Sequence, residues 1–444
     1  MGERLLVIGG DAAGMAAAAQ ARRRAPTLEI VALEKGNWTS YSACGIPYLA
    51  SGAVHEIEDL VVRTPEDFRA MHIDVRTQHE VVGLDLEARR AEVHNLAHDR
   101  TFHLGFDMLH IATGARPRRP DLPGADLPHV HGVQTLDDSS RLLADAGKRR
   151  VKRVTVIGSG YVGLELAEAF VVRGATVTVI EARPEVMGSL DPDMGALVAR
   201  ALRNRGIDVR VGVRAEAITE THVRTAAGDI AADLVILGLG VEPNSGLGTE
   251  AGLQTGVHEG LEVDRQQRTS ADGVWAAGDC CQSVHVVSGH PVYVALGTVA
   301  NKQGRVAGIN MSGGYATFPG VLGTAVTRVC QTEIGRTGLT EDEAKRAGFS
   351  AVASRIDATT AAGYMPESHP ITVKVVAERR SGRLLGAQIV GGHGSAKRVD
   401  VVAAALSGHL TVEDLVGLDL GYAPPFSPVW DPVQVAARAV LPQL

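Results

Sequence analysis

The stretch VIGSGYVGLELAEAFVVRGATVTVIEAR, running from Val156 to Arg183, decides the fold. An apolar run enters a Gly158-x-Gly160-x-x-Gly163 turn, an Ala/Leu-rich helical segment follows, and a second apolar run ends at Glu181. The glycines permit a tight turn and let backbone approach a pyrophosphate at the helix N-terminus. The acid, about twenty residues on, accepts hydrogen bonds from ribose hydroxyls. The pattern predicts a parallel βαβ unit that holds a dinucleotide.

Outward from it, the N-terminal segment Val7 to Gly36 repeats the order of apolar strand, glycine turn, helix, strand and acid. Gly9 and Gly14 are in place, Asp11 stands where the middle glycine belongs, and Glu34 is the acid. Two such units predict an α/β chain with two Rossmann-like dinucleotide-binding domains. The runs Leu109 to Ala115 and Trp275-Ala276-Ala277-Gly278-Asp279 read as returns to the first unit. From about Phe318 the pattern changes to alternating stretches such as Thr372 to Val376 and Leu384 to Val390, then a helical stretch from Val399 to Ser407. These predict a third, α+β domain of antiparallel strands.

Composition agrees. A chain of 444 residues exceeds one core, and 51 glycines with 4% aromatics suit many strand-to-helix turns. The net charge of -7 offers no basic field for nucleic acid, and no apolar run is long enough for a bilayer. A cytoplasmic protein acting on small molecules is expected, with neither nucleic acid nor membrane as partner. The four cysteines, at 44, 280, 281 and 330, form neither a zinc pattern nor a disulfide framework, so no metal site is read. Cys44 stands apart in Ser40-Tyr41-Ser42-Ala43-Cys44-Gly45-Ile46-Pro47-Tyr48, on a Gly/Pro-punctuated turn. Its thiol is a nucleophile only as thiolate, so its pKa must fall below the free value near 8.5, which a helix N-terminus or cofactor dipole can arrange.

With two dinucleotide motifs, a Thr113-Gly114 turn, a late Ala-Ala-Gly-Asp and a separate C-terminal domain, the chain resembles the pyridine nucleotide-disulfide oxidoreductases from end to end. The resemblance implies FAD in the first repeat, NADH or NADPH in the second, and a homodimer whose C-terminal domains complete the active site. It divides the chain into an FAD-binding domain of residues 1–115 and 246–317, an NAD(P)H-binding domain of 116–245, and a dimerisation domain of 318–444. The Cys44 stretch resembles the single-cysteine branch of coenzyme A-disulfide reductases, sulfur or polysulfide reductases, and NADH oxidases and peroxidases. Residues 45 to 49 hold no second cysteine, which excludes an internal redox disulfide of the two-cysteine type. Ala43 replaces an Asn frequent in the reductases.

Further roles follow from the same resemblance. Gly363-Tyr364-Met365-Pro366 and Tyr422-Ala423-Pro424-Pro425 match elements whose tyrosines reach the other subunit's cysteine, making Cys44, Tyr364 and Tyr422 the catalytic set. FAD contacts fall on Gly9, Ala12, Ala13, Gly14, Glu34, Lys35, Ser42, Val81, Thr113, Gly114, Asp279 and Ala295. Contacts to the pyridine nucleotide fall on Gly158, Gly160, Tyr161, Gly163, Glu181 and Gly240. Tyr161 is either a gate over the nicotinamide or a helix-surface aromatic; Glu181 favours NADH, whereas Arg183 could receive the 2′-phosphate of NADPH. Gln20, Arg23, Ser40 and Lys302 fit a coenzyme A grip, although Met71-His72 replaces an expected Lys. Ala12 stands where oxidases and peroxidases carry an acid-base His. The implied reaction is NAD(P)H-driven reduction of a disulfide, persulfide or polysulfide. Its alternatives are an NADH oxidase and a redox-sensing flavoprotein that binds a protein partner.

Overall fold

The computed structural model describes residues 3–444. The fold is mixed α/β, with three five-stranded sheets that carry the architecture. In the first, the strands Val274–Ala276, Met108–Ile111, Arg4–Ile8, Glu29–Leu33 and Asp74–Arg76 lie side by side, all parallel. Both faces are covered, which is why Leu5-Leu6-Val7-Ile8 is apolar without alternation. Leu5 and Val7 pack with the helices Ala12–Arg24 and Gly297–Met311, whereas Leu6 and Ile8 pack toward the antiparallel strands His79–Asp85, Arg90–Asn95 and Arg100–Gly105. The two helices touch backbone to side: a Cβ on Gly304 would lie 2.2 Å from Ala13 O, and one on Gly308 2.4 Å from Ala17 O.

The second sheet repeats the plan with the parallel order Asp208–Val211, Thr176–Glu181, Arg153–Ile157, Leu234–Leu237, Val130–His131. Chain crosses between the two sheets at the antiparallel pair Ala115–Pro117 and Val241–Pro243. The third sheet is antiparallel, ordered Ala325–Val329, Thr332–Gly338, Leu384–Gly391, Pro370–Glu378, Ala351–Thr359. The helices Val399–Ser407 and Pro432–Val440 share its core through Val399, Val402, Val433 and Ala437. Among the described residues no helix is long and apolar enough to cross a membrane.

Candidate active site

The two glycine turns share one wiring. In the first, Gly9 adopts φ +113° and a Cβ on Gly14 would lie 1.9 Å from Gly9 O, so side chains are barred at these two positions. Glu34 holds it shut: its carboxylate accepts the N–H of Gly10 at 2.7 Å and that of Gly36 at 2.6 Å. In the second, Gly158 adopts φ +93°, and Glu181 accepts the N–H of Ser159 at 3.1 Å, its hydroxyl at 2.5 Å and the N–H of Arg183 at 2.9 Å. Each acid thus braces the residue after the first glycine and its own i+2 amide. The helices that follow, Ala12–Arg24 and Tyr161–Val172, carry no side-chain cap, whereas Thr135, Thr340 and Thr411 cap other helices with their hydroxyls. Uncapped first-turn N–H groups above a turn kept close by its glycines fit a pyrophosphate.

Asp11 has a different partner. Its carboxylate accepts the N–H of Tyr41 at 3.1 Å, while Gly10 O accepts the N–H of Ser40 at 2.8 Å and the Thr39 hydroxyl. The first glycine turn is therefore bound to the Cys44 loop at three consecutive residues. Burial, with Glu34 and Asp279 nearby, pushes the Asp11 carboxyl up to about 7. Asp279 is likewise pushed up to about 6 by burial.

Beyond the turn, Cys44 lies on a 3-10 turn, Ala43–Gly45, immediately before the helix Ile46–Ser51, and is exposed. A Cβ on Gly45 would lie 2.2 Å from Leu60 Cδ2, so glycine lets the turn sit flat on its neighbour. Crowding by protein atoms and the carboxylates Glu165, Asp279 and Asp11 raise the thiol above its ordinary value. The proposed nucleophile needs a lowered thiol; burial first, and the three carboxylates after it, push the opposite way. Glu165, on the helix Tyr161–Val172, is raised by burial and accepts the hydroxyl of Thr327. Sequence reading missed it; an acid inside the apolar run Leu164 to Phe170 was the available signal.

The other expected positions fall as follows. Asn244 clamps the Thr113-Gly114 turn, accepting the Thr113 hydroxyl at 2.6 Å and donating its N–H to Gly114 O at 2.9 Å and its amide to Thr113 O at 2.9 Å. Gly278 N–H donates to Gln303 Oε1 at 2.9 Å, and Asp279 O accepts Tyr293 Oη at 2.8 Å. Ala13 packs with Ala277 and Ala300, beside Ala12. Ser42 opens the 3-10 turn, and Ala295 precedes the helix Gly297–Met311. Lys35 pairs with Glu80 at 2.7 Å, next to Val81 on the strand His79–Asp85. Gly240, at φ +79°, accepts Arg118 N–H at 2.9 Å beside the crossover. Gln20 accepts from Arg23 at 2.7 Å, and Lys302 is exposed on the neighbouring helix. Cys280 and Cys281 are buried with sulfurs 3.6 Å apart.

Tyr364 and Tyr422 stand exposed, and their segments are joined by Ala362 N–H to Pro424 O at 2.9 Å. Arg398 ties the same region, reaching Thr360 O and Phe426 O at 2.7 Å each and Asp431 at 2.9 Å. Exposed Phe426, Val429 and Trp430 extend this apolar surface. The Tyr161 hydroxyl accepts from Ser189 Oγ at 3.4 Å.

The chain matches the model of the family described as pyridine nucleotide-disulphide oxidoreductase over residues 3–314. It belongs to that family. Residues 324–432 match the family's dimerisation domain. The chain is 36% identical to an NAD(P)H sulfur oxidoreductase (CoA-dependent) of Pyrococcus furiosus, over 99% of each chain. It is 35% identical to an NADH oxidase of Methanocaldococcus jannaschii, again over 99% of each. Among solved structures, an NAD-dependent persulfide reductase from A. fulgidus superposes with a TM-score of 0.95 at 35% identity, covering 99% of this chain and 83% of that one. FAD and NAD(P)H are the family's cofactors, and the two uncapped, glycine-built turns fit them.

Proposed function

We propose that the chain is an FAD-dependent NAD(P)H:disulfide reductase that works through the single thiol of Cys44, on coenzyme A disulfide or on a persulfide or polysulfide. The observation that carries this reading is the bonding of residues 39–41 to Gly10 and Asp11, which holds the Cys44 turn against the first dinucleotide turn. When bound, the two cofactors supply a pair of electrons from NAD(P)H to sulfur.

The protein's part is sulfur and proton handling. The Cys44 thiolate attacks one sulfur of the substrate; the new S–S bond forms as the old one breaks, leaving a mixed disulfide and a departing thiolate. Reduction of the mixed disulfide by two electrons releases the second thiol and returns Cys44. A proton for the departing sulfur comes from Tyr364 or Tyr422 of a second copy, whose exposed hydroxyls and apolar surroundings suit a two-fold interface. Gln20, Arg23, Ser40 and Lys302 would face the coenzyme A portion, and Glu181 would take the ribose of NADH. The domain division at 115, 245 and 317 accompanies this reading, as do Lys35, Ser42, Val81, Ala295 and Gly240 as cofactor contacts.

The carboxylates around Cys44 place a demand on this chemistry. Together with burial, the larger cause, they raise the thiol above its ordinary value, so the thiolate is favoured when positive or dipolar groups of cofactor, substrate or second subunit arrive.

The test is an anaerobic NADH titration of the FAD-loaded protein, followed by coenzyme A disulfide, polysulfide or oxygen, in wild type and Cys44→Ser. Disulfide and polysulfide turnover in Cys44→Ser is expected to fall by on the order of 1,000-fold or more, with reduction by NADH retained. Undiminished turnover of both sulfur substrates would overturn the reading. The NADH oxidase reading, favoured by the Methanocaldococcus relative's name, requires rapid oxygen consumption without sulfur turnover. Ala12, lacking an acid-base group, argues against it.

A further inference from the structure

The antiparallel sheet places four polar side chains at one register, across four adjacent strands. Arg355 pairs with Lys374, Lys374 with Gln388, and Gln388 with Arg336. They share a face and all reach one short segment of the second dinucleotide unit. Arg336 donates to Ser189 O at 2.6 Å. Gln388 accepts Asp191 N–H at 2.7 Å and donates to its carboxylate at 2.6 Å. Lys374, 5% exposed, lies 3.1 Å from Asp191, 2.9 Å from Asp193 and 2.6 Å from Glu341. Arg355 completes the row at 3.7 Å from Asp193.

Such a cluster is costly to bury unless every charge is paired, and removing one member strands the rest. Its target gives the expense a purpose. Segment 187–193 begins at Met187, whose N–H donates to Ser159 O at 3.1 Å on the second glycine turn. Two residues on, Ser189 donates to the Tyr161 hydroxyl, and Asp191 then starts the helix Pro192–Asn204. One rigid strap thus touches the glycine turn and the Tyr161 ring at one end and is clamped residue by residue to the antiparallel sheet at the other.

We propose that the cross-strand row Arg336, Gln388, Lys374 and Arg355 positions segment 187–193 as the doorpost against which Tyr161 closes, and so sets the affinity of the pyridine nucleotide site from the C-terminal domain. The inference rests on Tyr161 standing at the nicotinamide site. The four side chains act through the strap, chiefly Ser189 and Asp191.

The experiment uses the FAD-loaded full chain with Lys374→Met, whose thioether stem fills the space without charge. NAD+ affinity is measured by flavin absorbance titration, hydrogen exchange over residues 186–193 by mass spectrometry, and the half-reactions by stopped flow with NADH and then oxygen. Oxygen takes electrons without Cys44, so failure of the sulfur chemistry leaves these readings intact. Lys374→Met is expected to weaken NAD+ binding about tenfold, within the usual span of coupling between sites. It should also raise exchange in 186–193 and slow reduction at low NADH while leaving reoxidation by oxygen unchanged. A lowered Tm with unchanged NAD+ affinity, or equal slowing of both half-reactions, overturns the proposal. Should Lys374→Met fail to fold, Ser189→Ala, which leaves the row intact, is expected to weaken NAD+ binding in the same direction; unchanged binding there overturns it too.

Discussion

The two glycine turns are built alike and attached differently. Glu34 and Glu181 brace them with the same pair of amides, yet the first turn is bonded to the loop of Cys44 and the second to a strap leading into the antiparallel sheet. Asp11 against Gly160 at the middle position is one of the changes that mark the divergence. A carboxylate there fastens the neighbouring redox loop, whereas the glycine leaves the second turn open on that side. On the proposed function, one site is a fixture of the reaction centre and the other a port that a substrate-like cofactor enters and leaves.

Filling each turn with a methyl group breaks the comparison most severely. Gly14→Ala puts a Cβ 1.9 Å from Gly9 O and Gly163→Ala puts one 2.8 Å from Gly158 O. The first variant is expected to purify without flavin. The second should keep its flavin, respond normally to dithionite and lose about tenfold or more in NADH affinity, each tenfold being about 1.4 kcal/mol; absorbance spectra and NADH titration separate them. Equal loss of flavin in both would erase the distinction between fixture and port.

A smaller effect sharpens the second site. Replacing Glu181 by Ala removes a negative charge from the ribose end while Arg183 remains, so preference should move toward NADPH by about ten- to a hundredfold in kcat/KM, as expected when like-charge repulsion of a few kcal/mol is relieved. The measurement is kcat/KM for both nucleotides. An unchanged ratio would mean that Glu181 serves only its three donors, Ser159 N–H, Ser159 Oγ and Arg183 N–H.

The smallest effect concerns Asp11 in the flavin-free protein. Its carboxyl keeps a proton up to about pH 7 in the fold, whereas in the unfolded chain it ionises near pH 4. Between these values rising pH favours the unfolded chain, and above about 7 the penalty is constant. Asp11→Asn still accepts the Tyr41 N–H and carries no charge, so it is expected to stabilise the apoprotein by about 2 kcal/mol at pH 8. Each pKa unit is worth about 1.4 kcal/mol, and partial exposure screens about half. Below about pH 4 the gain should vanish, as melting curves at both pH values would show.

Both dinucleotide units and the exposed turn that carries Cys44 were legible because their signals are local: glycines three apart, an acid at a strand end, a thiol on a punctuated turn. The α/β class and the late antiparallel sheet followed from the same kind of pattern. The function of Asp11 was not legible, since its partner Tyr41 lies thirty positions away and only folding brings the two together. Glu165 was not singled out, since a lone acid in a helical run reads as neither buried nor exposed until the elements that cover its helix are in place. The row through Lys374 was hidden for a related reason. Alternation tells that one face of Thr372 to Val376 is polar, yet not whether that face meets water or another domain, and here it meets Asp191 and Asp193.

The bonds from Thr39, Ser40 and Tyr41 to the first turn bear on how the enzyme acquires its flavin. They lie wholly within the polypeptide, so the entropy of ordering the Cys44 loop is lost during folding rather than at cofactor capture. The flavin therefore meets a preorganised seat, and stripping it leaves the sulfur loop latched in place. Reconstitution of the apoprotein becomes a docking step instead of a second act of folding.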